Sequence, residues 1–335
     1  TVAASGANYV LTFTPDAAFN GVAVVRYTLS NAFATTAEGT VTITVQPRPD
    51  PSLDAEVRGL VDAQVESTKR FATAQINNFQ QRLERLHNGG EGGFDNGIGF
   101  AIDRPCIEPL VGYSIDPCNP DTNGFRGGNG LGNSASATGS AAGTGNGGPV
   151  GTWIGGMIRS GSQDGRNGGA DIDFETDGLS TGIDYRVNDE FVVGGGFGYG
   201  KDENAIGDDG SRVDGDARTV AIYASYHPGT WFMDTLLGYQ SLDYDLRRYV
   251  TANGGLVNGQ RDGSQKFASV SVGTDIVREN MLFTPYARLD VSQARLDAYT
   301  ETGDAIYALA FEEMDEPPRW LQQLATEQGL TKKVR

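Results

Sequence analysis

The chain has 335 residues and a formal net charge of −17, with 26 Lys and Arg against 43 Asp and Glu. So acidic a surface repels phosphate backbones and argues against nucleic-acid binding, and no run approaches the ~18–20 apolar residues of a membrane-spanning helix. Membrane strands remain open to a chain that is 38% hydrophobic and rich in glycine (47 residues), because each needs only ~9–11 alternating residues.

Residues 1–47 read as strands and turns. Tyr9–Thr14, Ala23–Leu29 and Gly39–Val45 alternate or run β-branched, and Pro15-Asp16 and Asn20-Gly21 mark turns. Three strands are too few for a sandwich, so the segment reads as the back end of one. Phe13-Thr14-Pro15, Phe19-Asn20-Gly21, Tyr27-Thr28-Leu29-Ser30 and Val41–Val45 resemble the last third of the cadherin-like, Ig-like repeats of bacterial surface proteins. Asn31-Ala32-Phe33 stands where such repeats usually carry an acidic loop, which argues against calcium.

Residues 48–53 form a proline-rich linker. A helix follows over 54–87, capped by Asp50 or Ser52, with Asp54 and Glu56 at its positive end. Val57, Val61, Val65, Thr68, Ala72, Ile76, Phe79, Leu83 and Leu86 make one stripe, with Asp62, Glu66, Lys69, Arg70, Arg82 and Glu84 off it. At ~1.5 Å per residue the rod is about 50 Å long, enough to cross a membrane inside a pore. A dimerising coiled coil or a helix on a soluble surface fits the pattern equally. Residues 88–150 are Gly-, Asn- and Ser-rich flexible spacer. Within it Cys106 and Cys118, the only cysteines, would form one local disulfide in an exported protein; the alternative is two free thiols.

From Gly151 the period is two. Nine strands are predicted near 153–159, 170–177, 179–187, 190–200, 216–226, 231–246, 265–278, 281–298 and 305–312. Asn188-Asp189, His227–Thr230 and Glu279-Asn280 read as tight turns, and 201–214 and 247–264 as long charged loops. Short turns on one side and long loops on the other suit an outer-membrane barrel. Asp173, Asp184, Arg186, Asp234, Asp275, Arg288 and Asp290 are expected on a wet interior face. Trp153, Tyr185, Phe191, Tyr226, Trp231 and Phe283, near strand ends, suit an interfacial belt. The fold class expected is mainly β: an incomplete antiparallel barrel behind a long amphipathic helix and a partial β-sandwich. A soluble sandwich with one wet face is the alternative.

The two histidines, His87 and His227, leave little room for a histidine triad or a usual zinc site; no cofactor or metal is implied. Asp171, Asp173, Glu175 and Asp177 share a strand face that could attract cations but reads first as solvated lumen.

The order of parts, with Asp50–Gln64, Gly151–Ile154, Leu179–Arg186, Gly194-Gly-Gly-Phe-Gly-Tyr-Gly200, Thr284–Leu289 and Tyr299–Gly303, resembles the type V autotransporters over residues 50–315. That resemblance implies a twelve-stranded barrel (here 151–316) in outer-membrane lipid and a helix in its pore. It also implies help from the barrel-assembly machinery, and an adhesin-like passenger, of unknown ligand, presented outside the cell without substrate turnover. Gln75–His87 resembles the pore helix of the serine-protease autotransporters, in which an Asn-Asn bond is cut; Asn77 and Asn78 fall on that pair, the Asn77 amide attacking its own carbonyl. An uncleaved anchor is the preferred reading. The family ends on further strands and a terminal aromatic residue. Here Glu316-Pro317-Pro318 stops the pattern, and 317–335 is an atypical tail with a short charged helix from Arg319. A chain truncated or frame-shifted near Glu316, unable to insert alone, is the expectation. The rival functions are a porin-like diffusion channel and a soluble surface adhesion module.

Overall fold

The computed structural model describes residues 2–5, 8–16, 19–29, 33–87, 93–102, 148–166, 168–278, 281–315 and 319–330. The chain divides into two units at Leu53/Asp54. In the first, β1 (Val2–Ser5) pairs with β2 (Asn8–Leu11), and β3 (Gly21–Tyr27) with β4 (Gly39–Val45), both antiparallel. Two hairpins thus stand where three strands were expected. Asp50 caps only a 3-10 turn, its carboxylate accepting from the Ser52 N–H at 2.9 Å.

The second unit opens with α1 (Ala55–His87). Its N-cap is Asp54, not Asp50 or Ser52. The Glu56 N–H donates to Asp54 Oδ1 at 2.9 Å, and the Arg58 N–H to the Asp54 carbonyl at 3.1 Å. After it come β5 (Gly93–Ile102), β6 (Val150–Gln163), β7 (Ile172–Asn188), β8 (Phe191–Ile206), β9 (Ser211–Tyr226), β10 (Trp231–Val250) and β11 (Gly255–Thr274). The short β12 (Ile276–Arg278), then β13 (Met281–Leu296), β14 (Tyr299–Thr300), β15 (Ala310–Phe311), β16 (Met314–Asp315) and β17 (Arg319–Leu330) complete the series. One sheet runs β5-β6-β7-β8-β9-β10-β11-β13-β17, antiparallel except where β5 lies parallel to β6. Among the described residues its edge strands β5 and β17 do not pair, so the described sheet is open. It wraps α1, which touches β6 through β11 and β13.

Alternation along β6 to β13 puts one residue set against α1 and the other outside, and the outer set changes character partway along each strand. On β7, Leu179, Ile183, Tyr185 and Val187 are exposed and apolar, while Asp173, Glu175 and Asp177, at the same parity, are exposed and acidic, as is Asp171 just before the strand. The outward apolar run ends at Ile158 on β6, Leu179 on β7, Tyr199 on β8, Val220 on β9, Tyr239 on β10, Ala268 on β11 and Val291 on β13, with Ala205, Tyr249 and Leu256 standing singly among polar neighbours beyond it. The pairing Leu179↔Tyr199, Val220↔Tyr239 and Ala268↔Val291 keeps the boundary level; Ile158↔Asp177, Tyr199↔Arg218 and Tyr239↔Lys266 step it by two residues. A step of about 6.8 Å along the strands for every two inter-strand spacings of about 4.8 Å is a tilt of about 35°, within the range of membrane barrels. The switch therefore follows one plane that the strands cross obliquely. On one side of it the outer face is greasy over seven to nine residues per strand, reaching on the longer strands the ~9–11 of a lipid-spanning strand; on the other it is mostly polar and charged.

This plane corrects several sequence expectations. Residues 170–177 and 179–187 belong to one strand, and Asp173 with its acidic neighbours points outward rather than into the lumen. Polarity alone misassigned them because the medium outside changes from lipid to water along that strand. The expected loops 201–214 and 247–264 are continuous strand closed by tight turns, where Gly210 (φ 90°) and Gly254 (φ 72°) supply the left-handed backbone. Residues 305–307 are a turn rather than strand, because Asp304 Oδ1 accepts from the Ile306 and Tyr307 N–H groups at 2.7 and 2.8 Å. β5 falls inside the expected spacer. The tail from Arg319 is strand, not helix: its backbone pairs with Met281–Ser292 and covers polar groups that lipid would leave bare.

Arginine at Ile183, in the middle of the greasy band, is expected to cost about 2–4 kcal/mol in vesicle unfolding, against about 0–1 kcal/mol at Asp173. Equal costs at the two positions would contradict the plane.

Candidate functional site

The interior of the sheet is filled by α1, so the site is the helix–wall contact. Beyond the switch plane an apolar cluster lies inside, among paired polar residues: Leu60, Ala63 and Phe71 of α1 pack with Ile172, Ile206, Val213, Ala217, Leu242, Tyr244, Leu246, Leu296 and Tyr299. At this end Glu56 is buried and accepts from the Ser211 hydroxyl, and Asp54 accepts from Thr251 at 2.5 Å. Burial, the largest influence, holds the Glu56 carboxyl above the usual carboxylate range despite the opposing Ser211 hydrogen bond. Arg261 ties α1 to the segment after β13, donating to Gln64 Oε1 (2.9 Å) and to the carbonyls of Asp297 (2.6 Å) and Glu312 (2.8 Å). Arg248 forks onto Glu301 at 2.8 and 2.7 Å, and Tyr299 stacks on Phe311.

Along the greasy band and just past its boundary the wall is built to admit a helix. The inward positions of β8 include Gly196, Gly198 and Gly200, over which lie Phe79, Gln75 and Phe71. Four helical residues rise about 6.0 Å and two strand residues about 6.8 Å, so the contact repeats in register three times. Phe79 then meets Trp153 edge-on at 5.0 Å, and the Trp153 indole donates to the Tyr223 hydroxyl at 2.7 Å.

Two buried ion pairs anchor α1 to this wall. Arg70 forks onto Asp202 at 2.8 and 2.6 Å, lies 4.3 Å from the Phe174 ring centroid, and also reaches Asn204. Arg82 forks onto Asp184 at 2.8 and 3.0 Å, with Tyr223 donating to the same carboxylate at 3.0 Å. Arg82 and Arg85 both reach Asp95 of β5. Further along, Gln80 donates to Ser269 (2.7 Å), Ser269 to Asp290 (2.5 Å) and Arg288 to Asp290 (3.0 Å). His87 ends the helix 2.9 Å from Asp234 and 3.2 Å from Ser225.

Of the expected interior residues, Asp184, Asp234, Arg288 and Asp290 are inside and buried. Asn78 is buried and donates to Ser180 at 2.9 Å and to the Gly178 carbonyl at 3.3 Å; Asn77 accepts from Arg288 at 3.4 Å. Cys106 and Cys118 lie outside the described residues. Sequence reasoning missed Arg70, Arg82, Gln75 and Gln80 as wall contacts. Nothing in the chain order pairs them with Asp202, Asp184, Ser180 and Ser269; the glycine lane of β8 was the one legible signal that something approaches closely.

The family model described as "Autotransporter beta-domain" matches residues 152–316. No curated protein sequence matches the chain. Among solved structures, the translocator domain of autotransporter NalP from Neisseria meningitidis aligns at TM-score 0.47 with 15% identity, over 54% of this chain and 62% of that one. The beta domain of the Bordetella autotransporter BrkA aligns at TM-score 0.44 with 21% identity, over 56% and 73%. The chain thus spans less than two thirds of the first of these.

Proposed function

Residues 152–316 belong to the autotransporter β-domain family, and from that premise we propose that the chain is the outer-membrane translocator and anchor of a surface passenger. The tilted plane of polarity carries the reading: a sheet greasy outside on one side of it and charged beyond is shaped for a lipid slab. The charged strand extensions and the N-terminus of α1 share one end, which we take as the extracellular side because the strand-and-turn units reach furthest past the greasy band there. Residues 1–47 would then emerge outside as the end of an Ig-like, adhesin-like passenger, after insertion by the barrel-assembly machinery. A porin-like channel is disfavoured because α1 occupies the interior.

We read α1 as an uncleaved tether. The contact described for the Asn77 side chain is the Arg288 guanidinium rather than a carboxylate base, and in a helix the Asn77 carbonyl is committed to an N–H four residues on. Protease added to intact cells expressing the chain is expected to remove residues 1–53 and leave the rest. The mass of the membrane fragment should contain an uncut Asn77-Asn78 bond. Full protection of residues 1–53 would overturn the surface reading, and a fragment starting at Asn78 would overturn the tether.

A further inference from the structure

The charges just beyond the polarity switch are sorted by row. The first outward position past the greasy band is Asp177 on β7, Lys201 on β8, Arg218 on β9, Ser241 on β10, Lys266 on β11 and Gln293 on β13. Three of the six are cations. The next outward position on the same strands is Glu175, Glu203, Asp216, Asp243, Ser264 and Arg295, and the one after it brings Asp173, Asp214, Asp245 and Asp262. In a chain of net charge −17, three of the six outward cations on β7 to β13 thus lie at the level where headgroups meet the barrel, with acids next above on most strands; Arg295 lies one outward step further and Arg212 and Arg247 three steps further. Tyr199 and Tyr239, both exposed, sit one outward step below, as interfacial rings do.

We propose that Lys201, Arg218 and Lys266 form a seat for lipid headgroups whose anionic phosphate is not compensated by a choline or amine, in the leaflet on the α1 N-terminal side; the proposal rests on the outer-membrane reading above. Their chemistry fits. A guanidinium matches a phosphate with a fork of N–H donors, and an ammonium adds a point charge. The local acids do not use these cations up. Arg218 lies 3.4 Å from Asp243 with its side chain 72% exposed, and Lys201 meets Glu203 with 49% exposed. Pairs so open to water hold weakly, and a headgroup phosphate on the lipid side takes their place. The acidic rows above repel phosphate, so they fix the depth at which it sits. Lys and Arg stems also lie along apolar surface while the charge reaches the interface, which suits Lys266, opposite Tyr239.

The test reconstitutes the full chain in phosphatidylcholine vesicles and measures motional restriction of spin-labelled phosphatidic acid and of spin-labelled phosphatidylcholine. The expected result is a preference for phosphatidic acid of roughly fivefold or more, lost in the Lys201→Gln/Arg218→Gln/Lys266→Gln variant and not competed by free inorganic phosphate. The variant's restriction of phosphatidylcholine, unchanged, shows that it still inserts. Equal preference in wild type and variant, or full competition by inorganic phosphate, overturns the seat while leaving the membrane reading intact. Failure of the wild-type chain to restrict either lipid overturns both.

Discussion

Valine at Gly196, Gly198 and Gly200 is expected to release α1 from the sheet. A Cβ at Gly196 would lie 2.5 Å from the Thr181 carbonyl oxygen and 2.9 Å from the Phe79 ring, and one at Gly200 would lie 2.8 Å from the Phe71 ring. At Gly198 it would meet the end of the Gln75 side chain, which can swing away; the other two contacts involve backbone or a packed ring and cannot. Valine favours strands where glycine does not, so by propensity alone the triple variant should strengthen β8. The prediction runs the other way because overpacking costs about 1–3 kcal/mol at each blocked site and the sites act on one helix face. Single-channel conductance of the variant should rise to the level of a chain lacking residues 54–87, and Arg70 and Arg82 should become cleavable by trypsin. Conductance at the wild-type level would show that the helix does not depend on the glycine lane.

The same lane shows how far the sequence could be read. The two-residue period from Gly151 and the interior place of Asp184, Asp234, Arg288 and Asp290 were legible because, in lipid, polarity reports orientation directly. Beyond the switch plane the outward positions turn polar and several inward ones turn apolar. Ile172 and Ile206 are buried against α1 while Asp173 and Glu203 face water, as in a soluble sheet. Reading one rule along the whole strand therefore split β7 in two, turned its acids inward, and took the charged halves of β8 to β11 for loops. Position along the strand relative to a plane was the missing quantity, and it appears only once the strands are in register. The tail from Arg319 failed for another reason: its residues favour helix, but the exposed edge of β13 offers a ladder that local propensity does not see. The helix-to-wall ion pairs are separated by 132 and 102 positions in the chain, and no spacing rule links such partners.

Removing Arg82 should be among the most damaging single changes to the docked helix. Its guanidinium and the Asp184 carboxylate are both about 95% buried, with the Tyr223 hydroxyl on the same carboxylate and Gly151 beneath: a Cβ there would lie 2.4 Å from Asp184 Oδ1. Arg82→Ala strands a buried charge, for which about 3–5 kcal/mol is the usual loss. Arg82→Met with Asp184→Leu removes both charges and should recover most of it, since a buried pair contributes little over well-packed apolar residues. An exposed pair such as Lys201–Glu203 should change stability by less than about 1 kcal/mol when either partner is removed, and its effect should fade with salt while that of Arg82 does not. Unfolding in vesicles at low and high ionic strength separates the cases. A loss at Arg82 as small and as salt-sensitive as at Lys201 would mean that water reaches the Asp184 carboxylate, and that this pair does not anchor α1 in the sheet.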